Sequence, residues 1–383
     1  MVIGIAGPMS LELINFDYGN RKIPAGYPFP MISFFINALI KRGHRVVAYT
    51  FSKEIEEPIV FESEKITICV GRWSEHPGRN FFQLERKDLL QLIRKHPAEI
   101  INAHWTYEFA LAALSSEIPS VITIHDHAWT IFKLNPIPYR FTKVLMNFVS
   151  LSKTKYMTAN SQYIYTLLSK NKKQKTKIIP DFYKAELEKY SKEHCTKKNY
   201  FITISNGFGK RKNIESSIAA FALLKNKYSD YEYHILGIDM ENGGPAYRYA
   251  EANNYLDGIR FLGPQTFENV IREIREAKAC IHPSREESFG MSVLESMVLG
   301  TAVIGGTKSG NIPSLLENGR SGLLCDIENP SDIAAKVELL VDNSELRENI
   351  EKRAYIYAKE NYSEEVVISK FISLYQEIIN NNL

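Results

Sequence analysis

Apolar runs of strand length alternate with amphipathic segments of helical length along most of this chain, a pattern typical of βαβ units and parallel sheets. In the first half of the chain, strands are predicted at residues 2–6, 45–49, 66–70, 100–103, 120–124, 156–158 and 177–179. A second series is predicted at residues 200–204, 233–237, 259–262, 279–283, 302–304 and 322–325. The two series indicate an α/β fold with two Rossmann-like sheets.

The stretch between the two series, residues 183–199, is charged and lacks a strand pattern, so we interpret it as a linker. A chain of 383 residues also exceeds the length that one hydrophobic core usually supports. We therefore predict an N-terminal domain at residues 1–185 and a C-terminal domain at residues 198–363. Because open α/β sheets bind ligands outside the carboxyl ends of their strands, the site is expected between the two domains.

Composition narrows the class of protein. The chain is 44% hydrophobic and 24% charged, as in ordinary globular proteins, and its four cysteines are scattered without the spacing of a metal site. We expect no membrane-spanning helix and no signal peptide, and the scattered cysteines favour a reduced cytoplasm as the compartment. The net charge of +3 is uneven, with about +8 in residues 1–182 and about −5 in residues 183–383. The lysine run at residues 170–177 would attract an anionic acceptor or the inner face of a membrane; alternatively, it is a solvated helix end and loop.

The strongest chemical signal is the segment 283–297, in which a strand ends and a helix is predicted to begin near Gly290. A helix N-terminus offers free amide groups and partial positive charge, which suit a diphosphate. Glu287 lies in the turn and Glu295 two helical turns later, where a carboxylate can accept hydrogen bonds from vicinal hydroxyls. The alternative is that Glu287 belongs to a solvated turn and Glu295 to an exposed helix face.

This E-x7-E pattern with an interior Phe-Gly resembles that of the retaining glycosyltransferases of family 4, which have the GT-B architecture of two facing Rossmann-like domains. The resemblance covers nearly the whole chain and is densest in residues 200–325. It implies that Glu287 lies at the donor sugar and that Glu295 holds the ribose of the nucleotide. It also implies that four backbone positions face the sugar hydroxyls and the diphosphate: Phe289, Gly290, Met291 and Ser292.

The same resemblance assigns the domains. It implies that residues 1–185 form the acceptor side, that residues 198–363 bind the nucleotide-sugar donor, and that residues 364–383 return to pack on the first domain. The turn at residues 307–313 is similar to the Gly-Gly-Ile-Pro-Glu turn of the family and is interpreted as mainly structural.

A second motif, residues 205–213, follows a predicted strand and opens a helix. It is similar to the family loop whose arginine and lysine neutralise the donor diphosphate. Lys212 falls on the family lysine and would stabilise the leaving group, whereas Gly207 falls on the family arginine. Lys210 or Arg211 would substitute for that arginine; alternatively, the loop is simply a basic entry to a helix.

In the first half of the chain, residues 123–127 follow a strand and look like the Thr-x-His-Asp turn of the family. His125 would then contact donor-sugar or acceptor hydroxyls, and Asp126 would orient a histidine. His104 and Trp105 end another strand and are predicted to form an acceptor-side wall. By resemblance, Gly26 lies near the donor phosphates, although it alternatively permits a simple turn.

The chain is therefore predicted to be a retaining glycosyltransferase that moves a hexose-type sugar from a UDP- or GDP-sugar to a glycan or lipid-linked acceptor, in bacterial surface polysaccharide or glycolipid synthesis. Neither a cofactor nor a metal is expected, although His104, His125 and His127 leave a metal site as an alternative. No nucleic-acid partner is expected, and membrane contact would be peripheral, through the basic N-terminal domain. Two other readings remain open, namely a non-hydrolysing sugar-nucleotide epimerase and a non-catalytic nucleotide-sugar binding protein.

Overall fold

The computed structural model describes residues 1–191 and 195–381 and divides the chain into two compact units. Unit 1 comprises Met1–Pro180 together with Glu364–Leu383, and unit 2 comprises Asp181–Ser363. Residues 382 and 383 of the predicted returning segment lie outside the described residues.

Unit 1 is built on an eight-stranded sheet. Its strands are β1 (Val2–Ala6), β2 (Arg45–Ser52), β3 (Ile59–Glu62), β4 (Ile66–Arg72), β5 (Ile100–His104), β6 (Ser120–Ile124), β7 (Tyr156–Ala159) and β8 (Thr176–Ile178). They are ordered β3-β4-β2-β1-β5-β6-β7-β8, and all neighbours pair in parallel except β3 with β4. The antiparallel edge strand β3 was not predicted from the sequence, because its four residues lie between charged segments.

Helices connect these strands, as the alternating pattern predicts. They are α1 (Pro30–Lys41), α2 (Gln83–Lys95), α3 (Glu108–Leu114), α4 (Ala128–Leu134), α5 (Pro138–Lys153), α6 (Gln162–Leu167) and α7 (Lys170–Lys173). Helix α1 begins at a proline, whose missing N–H costs nothing at the first position of a helix. Six of its residues are buried, so its apolar face covers the sheet.

Unit 2 contains a six-stranded sheet, parallel throughout. Its strands are β9 (Tyr200–Ile204), β10 (Glu232–Leu236), β11 (Ile259–Gly263), β12 (Ala279–His282), β13 (Val303–Gly306) and β14 (Leu323–Cys325). They are ordered β11-β10-β9-β12-β13-β14, which is the doubly wound Rossmann order. The order reverses between β9 and β12, so the carboxyl ends of these two strands are where a ligand is expected.

The helices of unit 2 flank this sheet. They are α8 (Leu187–Ser191), α9 (Ile214–Lys225), α10 (Pro245–Ala252), α11 (Phe267–Glu276), α12 (Met291–Val298), α13 (Ile312–Leu315), α14 (Pro330–Asp342) and α15 (Ser344–Tyr362). The stretch interpreted as a linker is in part structured, because it contains α8. Tyr183 and Leu187 are buried in the core of unit 2, so this end of the stretch packs onto the domain that follows it.

The last helix, α16 (Glu364–Asn380), packs within unit 1. Its Phe371 ring meets the ring of Phe35 edge-on at 5.0 Å, and its Tyr375 hydroxyl accepts a hydrogen bond from Asn102 Nδ2 at 2.6 Å. Both contacts are buried, so the end of the chain is part of the core of this unit. Among the described helices, none combines the length and the apolar character needed to cross a membrane.

Candidate functional site

At the topological switch point of unit 2, the basic loop of residues 205–213 lies next to the segment 283–297, which carries Glu287. The loop after β9 carries Arg211 and Lys212, and the turn after β12 carries Glu287. The two loops are joined through backbone, because the Arg285 amide donates to the Arg211 carbonyl at 2.8 Å. Asn213 completes the connection by donating its side-chain amide to the Pro283 carbonyl at 3.2 Å. Segments about 75 residues apart in sequence therefore form one site.

At this point four side chains form what we call the charge cluster: Arg211, Lys212, His282 and Glu287. Lys212 Nζ donates to Glu287 Oε1 at 2.6 Å, and Arg211 lies 3.8 Å from the other carboxylate oxygen. His282 Nε2 lies 3.6 Å from Glu287 Oε1. The side chains of Lys212 and Glu287 are only 16% and 13% exposed, so their interaction is weakly screened by water.

The charge cluster fixes the protonation state of Glu287. Burial opposes ionisation, but His282, Lys212 and Arg211 outweigh it and hold the pKa of this carboxyl well below its usual range. Glu287 is therefore an anion at every physiological pH. An ionised carboxylate can accept hydrogen bonds from hydroxyl groups, but it has no proton to donate as a general acid.

Lys210 and Arg211, the two candidates to substitute for the family arginine, differ in their surroundings. Arg211 lies in the charge cluster, whereas Lys210 is exposed and its carbonyl accepts a hydrogen bond from Arg285. Gly207, at the family arginine position, adopts a left-handed conformation with φ +94°. Its neighbour Phe208 donates its amide to Asp239 Oδ2 at 3.0 Å, so this part of the loop is anchored toward β10.

The predicted helix start is α12, with Gly290 as its N-cap at φ +107°. This positive φ strongly favours glycine, and a Cβ here would also come within 2.7 Å of Ile312 Cδ1, which would have to shift. The first amides bonded back to the Gly290 carbonyl are those of Val293 and Leu294. The preceding amides of Met291 and Ser292 are those that a helix N-terminus offers to an anion, while the Phe289 side chain is buried.

The turn at residues 307–313, interpreted as structural, supports the Glu287 backbone. The Asn311 amide donates to the Glu287 carbonyl at 2.9 Å, and Asn311 Nδ2 donates to the Phe289 carbonyl at 3.1 Å. Gly310 has φ +59°, and a Cβ there would lie 2.3 Å from the Glu287 carbonyl oxygen. This close approach of two backbones is possible only with glycine.

Glu295 lies on α12 and is half-buried. Burial raises the pKa of Glu295 to about 7, although the positive charge of Lys184 acts in the opposite direction. The two carboxylates of the E-x7-E pattern therefore differ sharply in chemistry, since Glu287 is permanently charged and Glu295 titrates near neutral pH. A strongly shifted carboxyl is more common at functional sites than elsewhere.

In unit 1 the sequence-predicted residues converge at the carboxyl ends of β5 and β6. His104 Nδ1 and His125 Nε2 share a hydrogen bond of 2.8 Å, and the two rings are stacked. His104 and His125 are only 2% and 5% exposed, so neither ring forms an exposed wall. Burial, reinforced by His125, lowers the pKa of His104 well below its usual value, so its imidazole is neutral.

Trp105 carries backbone strain beside this histidine pair. Its φ is +67°, an unfavourable conformation for a bulky residue. Its ring packs against Phe29 at 5.1 Å and against His125 at 6.3 Å. Strained residues of this kind concentrate at functional sites.

Asp126 is paired with a tyrosine. The Tyr107 hydroxyl donates to Asp126 Oδ1 at 2.6 Å. Burial raises the pKa of Asp126, against the opposing effects of the Tyr107 hydrogen bond and of nearby Lys143. In addition, His127 Nδ1 lies 2.8 Å from Thr130 Oγ1, at the start of α4.

Gly26 lies against the loop after β1 and borders a cavity of about 360 Å³ in unit 1. A Cβ at Gly26 would lie 2.4 Å from the Met9 carbonyl oxygen, so glycine is required for this approach. The cavity is lined by Ala25, Gly26, Tyr27, Pro28, Phe51, Ser52, Lys53, Glu54 and Trp73. Two of these residues, Tyr27 and Trp73, are distant in sequence, but their ring centroids lie 5.4 Å apart.

Within residues 1–191 and 195–381, no group of three or more His, Cys, Asp or Glu side chains is placed to hold a metal ion. The three histidines His104, His125 and His127 do not form such a group.

Two family models match this chain. Residues 32–186 match the family model described as "Glycosyltransferase Family 4", and residues 186–357 match the model described as "Glycosyl transferases group 1". N-acetyl-alpha-D-glucosaminyl L-malate synthase of Bacillus anthracis is 24% identical over 368 residues, covering 90% of this chain and 92% of that protein. N,N'-diacetylbacillosaminyl-diphospho-undecaprenol alpha-1,3-N-acetylgalactosaminyltransferase of Campylobacter jejuni is 27% identical over 123 residues, 32% of each chain.

Among solved structures, sucrose-phosphate synthase from Thermosynechococcus elongatus superposes with a TM-score of 0.78 over 99% of both chains at 15% identity, which bears on the fold alone. The predicted α/β GT-B fold class is thereby confirmed. Both family models describe glycosyltransferases, and together they extend from residue 32 to residue 357. The chain belongs to glycosyltransferase family 4 and is a glycosyltransferase that uses a nucleotide-sugar donor.

Proposed function

We propose that this enzyme transfers a hexose-type sugar from a UDP- or GDP-sugar to a glycan or lipid-linked acceptor, with retention of the anomeric configuration. The observation that carries the proposal is the charge cluster at the switch point of unit 2. There, Lys212 and Arg211 converge on Glu287 beside the start of α12. Cations beside a helix N-terminus suit the departure of a diphosphate.

The donor is proposed to bind in three parts. Its diphosphate accepts hydrogen bonds from Lys212 and from the amides of Met291 and Ser292, and Arg211 supplies the second cation. Its ribose hydroxyls donate to Glu295, whose ionised form accepts them most strongly. Its sugar hydroxyls donate to Glu287, which the charge cluster keeps ionised.

Binding would require a rearrangement within the charge cluster. Lys212 is engaged by Glu287, so a diphosphate must share or take over this ammonium group. An ammonium group has three donors and can contact carboxylate and phosphate together. Sharing would place the positive charge between the sugar-binding carboxylate and the leaving group.

In the proposed mechanism the rate is limited by breaking the anomeric C–O bond. Lys212, Arg211 and the amides of α12 stabilise the negative charge that develops on the diphosphate. The acceptor hydroxyl attacks from the face that the diphosphate leaves, and a phosphate oxygen takes its proton, so the configuration is retained. Glu287 acts neither as nucleophile nor as acid: the neighbouring cations hold its pKa well below the usual range, so the carboxylate is weakly basic and has no proton to donate.

His125 is proposed to contact a hydroxyl of the donor sugar or of the acceptor. The buried pair with neutral His104 holds its ring in place. Trp105 and Asp126 would shape the acceptor side, and Gly26 would let its loop approach the donor phosphates. The reaction is proposed to need neither a metal nor a cofactor.

The acceptor class is proposed from two relatives. One is named for transfer involving L-malate, and the other for transfer to a diphospho-undecaprenol-linked sugar. These names support a family site that accommodates chemically different acceptors. We propose a role in bacterial surface polysaccharide or glycolipid synthesis, in the cytoplasm and at the inner face of the membrane.

The donor is tested by a thermal-shift screen of UDP-, GDP- and ADP-sugars with the purified protein. A ligand at about 100 times its dissociation constant should stabilise the protein by roughly 2.7 kcal/mol. Stabilisation by the ADP-sugar alone, or by none of the three, would contradict the proposed donor class.

The reaction is tested by incubating the identified donor with and without candidate acceptors and examining the product by nuclear magnetic resonance. Acceptor-dependent transfer with the donor's anomeric configuration supports the proposal. An inverted product would contradict retention. Interconversion of the donor without any acceptor would identify an epimerase, and binding without turnover would identify a binding protein.

A further inference from the structure

The positive charge of the N-terminal half is concentrated in one segment. Residues 127–180 contain ten lysine and arginine residues and no aspartate or glutamate. The remainder of residues 1–182 is close to neutral. Five of the ten lie on or beside helices α4 and α5, namely Lys133, Arg140, Lys143, Lys153 and Lys155. Of these, Lys143 is paired with Glu108.

The inner face of α5 is firmly attached to unit 1. Lys143 donates to the buried Glu108 carboxylate at 2.7 Å and lies over the rings of Phe82 and Tyr107. Ser150 donates to the Thr106 carbonyl at 2.6 Å. Positions 143, 146 and 150 follow helical spacing, so this buried side fixes which face of α5 is turned outward.

The outward face of α5 is apolar. Phe141, Leu145, Phe148 and Val149 are 48%, 39%, 69% and 39% exposed. Their spacing of three and four residues places them on one side of the helix, opposite the buried positions. A single exposed apolar residue needs no explanation, but a continuous stripe marks a surface that binds something.

Helix α4 extends this stripe. Trp129, 45% exposed, stacks on Phe132 with ring centroids 5.6 Å apart, and Phe132 contacts Phe141 at 5.8 Å. We call the resulting surface the apolar α4–α5 face and define it by its members: Trp129, Phe132, Phe141, Leu145, Phe148 and Val149. Tryptophan, phenylalanine and leucine are the apolar side chains that surface-bound helices place into the headgroup region of a membrane.

Cations lie on or next to the two helices that form this face. Lys133 extends over the Trp129 ring at 5.6 Å, and Arg140 flanks Phe141 in the sequence. Lys153 ends α5, and Lys155 follows it; both are exposed. Apolar side chains bordered by lysine and arginine, without acidic residues in the segment, complement an anionic lipid surface better than a protein surface of mixed charge.

We propose that the apolar α4–α5 face docks onto an anionic lipid bilayer, with its aromatic residues in the headgroup region and its cations on lipid phosphates. The inference deepens the proposed function, because a lipid-linked acceptor would be met at the same surface. It also locates the contact at α4 and α5 rather than at the lysine run of residues 170–177.

The test is flotation of the full-length protein with vesicles of phosphatidylethanolamine and phosphatidylglycerol, compared with vesicles of phosphatidylcholine alone. The apolar variant is Phe141→Ser/Phe148→Ser. Its matched control, Leu223→Ser/Ile356→Ser, removes two residues of unit 2 that are 55% and 44% exposed. Lys133→Gln/Lys153→Gln/Lys155→Gln tests the charge.

The wild-type protein and the matched control should float with anionic vesicles, and added salt should weaken binding. The apolar variant should partition at least tenfold less, and the charge variant should lose most of its preference for anionic lipid. Wild-type protein that stays unbound, or an apolar variant that floats equally well, would overturn the proposal. The proposal would also be overturned if the wild-type protein formed a dimer and did not bind vesicles, while the apolar variant remained a monomer. A second copy of the chain would then cover the face.

Nucleotide-dependent thermal stabilisation of the same variants separates this inference from the proposed function. The apolar variant should keep its nucleotide-induced shift while losing flotation. Lys212→Met should lose the nucleotide-induced shift while still floating with anionic vesicles. Loss of both properties in the apolar variant, with an unchanged melting temperature without ligand, would contradict a separate membrane-docking surface.

Discussion

Replacing Glu287 by glutamine should tighten the binding of a nucleoside diphosphate while abolishing most sugar transfer. Glu287 lies in hydrogen-bond contact with Lys212, at 2.6 Å, and is held ionised by Lys212, His282 and Arg211. Its negative charge therefore opposes the approach of a diphosphate to the same lysine. Glutamine keeps the shape and an acceptor oxygen but removes the charge.

The expected magnitude follows from the geometry. A phosphate oxygen bonded to Lys212 opposite the carboxylate would lie about 5 Å from Glu287, and two unit charges at that distance repel by about 3 kcal/mol at an effective dielectric constant of about 20. Screening at these slightly exposed side chains and relaxation of Lys212 leave roughly 1 kcal/mol, or about fivefold in affinity. Transfer should fall by about 100-fold or more, because the sugar-binding anion is lost.

Isothermal titration calorimetry with UDP and GDP measures the affinity, and initial rates with the identified donor measure the transfer. Glu328→Gln is the control, since Glu328 is an exposed carboxylate paired with Arg285 at 2.7 Å in the same unit. It should change both quantities less than twofold. Weaker nucleotide binding by Glu287→Gln, or undiminished transfer, would refute the assignment of Glu287 to the sugar beside the diphosphate.

Three other outcomes are expected. Nucleotide affinity should rise about tenfold from about pH 6 to about pH 8, because Glu295, with a pKa raised to about 7, becomes ionised over that range. In calorimetry, Glu295→Gln should bind the nucleotide weakly, and its affinity should vary with pH only through the titration of the nucleotide itself. Gly310→Ala should lower the free energy of unfolding, measured in urea, by about 2 kcal/mol more than Gly19→Ala does. Both glycines have φ near +58°, but of the two only Gly310 approaches another backbone segment. Equal losses of stability in the two variants would contradict a tight backbone support beneath Glu287. Lys212→Met should weaken binding of UDP or GDP at least tenfold in calorimetry. The matched variant Lys210→Met, which changes an exposed lysine, should alter the affinity less than twofold. The reverse order of effects would assign the diphosphate contact to Lys210.

Much of the fold was accessible from the sequence because parallel strands buried on both faces are continuous apolar runs. Strands β1, β6 and β9 begin and end at the predicted residues. The antiparallel edge strand β3 escaped prediction because half of its surface is exposed and it has only four residues. The segment 183–199 was interpreted as a linker because its charges conceal the buried positions Tyr183 and Leu187.

The candidate site was predictable where chemistry is local in the sequence. Glu287, Gly290 and Glu295 were singled out because they lie close together around one predicted helix start and match the E-x7-E pattern of the family. Contacts between distant segments were not accessible, since no pattern in either segment encodes the 2.6 Å contact of Lys212 with Glu287. The same applies to the hydrogen bond that joins His104 to His125, because tertiary packing alone brings β5 and β6 together.

The chemistry of the carboxylates also depends on that packing. Glu287 and Glu295 are identical side chains eight positions apart, yet one has a pKa held well below the usual range and the other a pKa of about 7. The difference arises because three cationic or hydrogen-bonding side chains surround Glu287, whereas burial dominates around Glu295. The E-x7-E pattern singled out both residues but could not distinguish their protonation states.

A crystal structure with bound UDP or GDP tests most directly whether the switch point of unit 2 is the donor site. We predict that the diphosphate contacts Lys212 and the amides of Met291 and Ser292, with the ribose against Glu295. A nucleotide bound at any other edge of the sheet, without contact to Lys212 or Glu295, would contradict it.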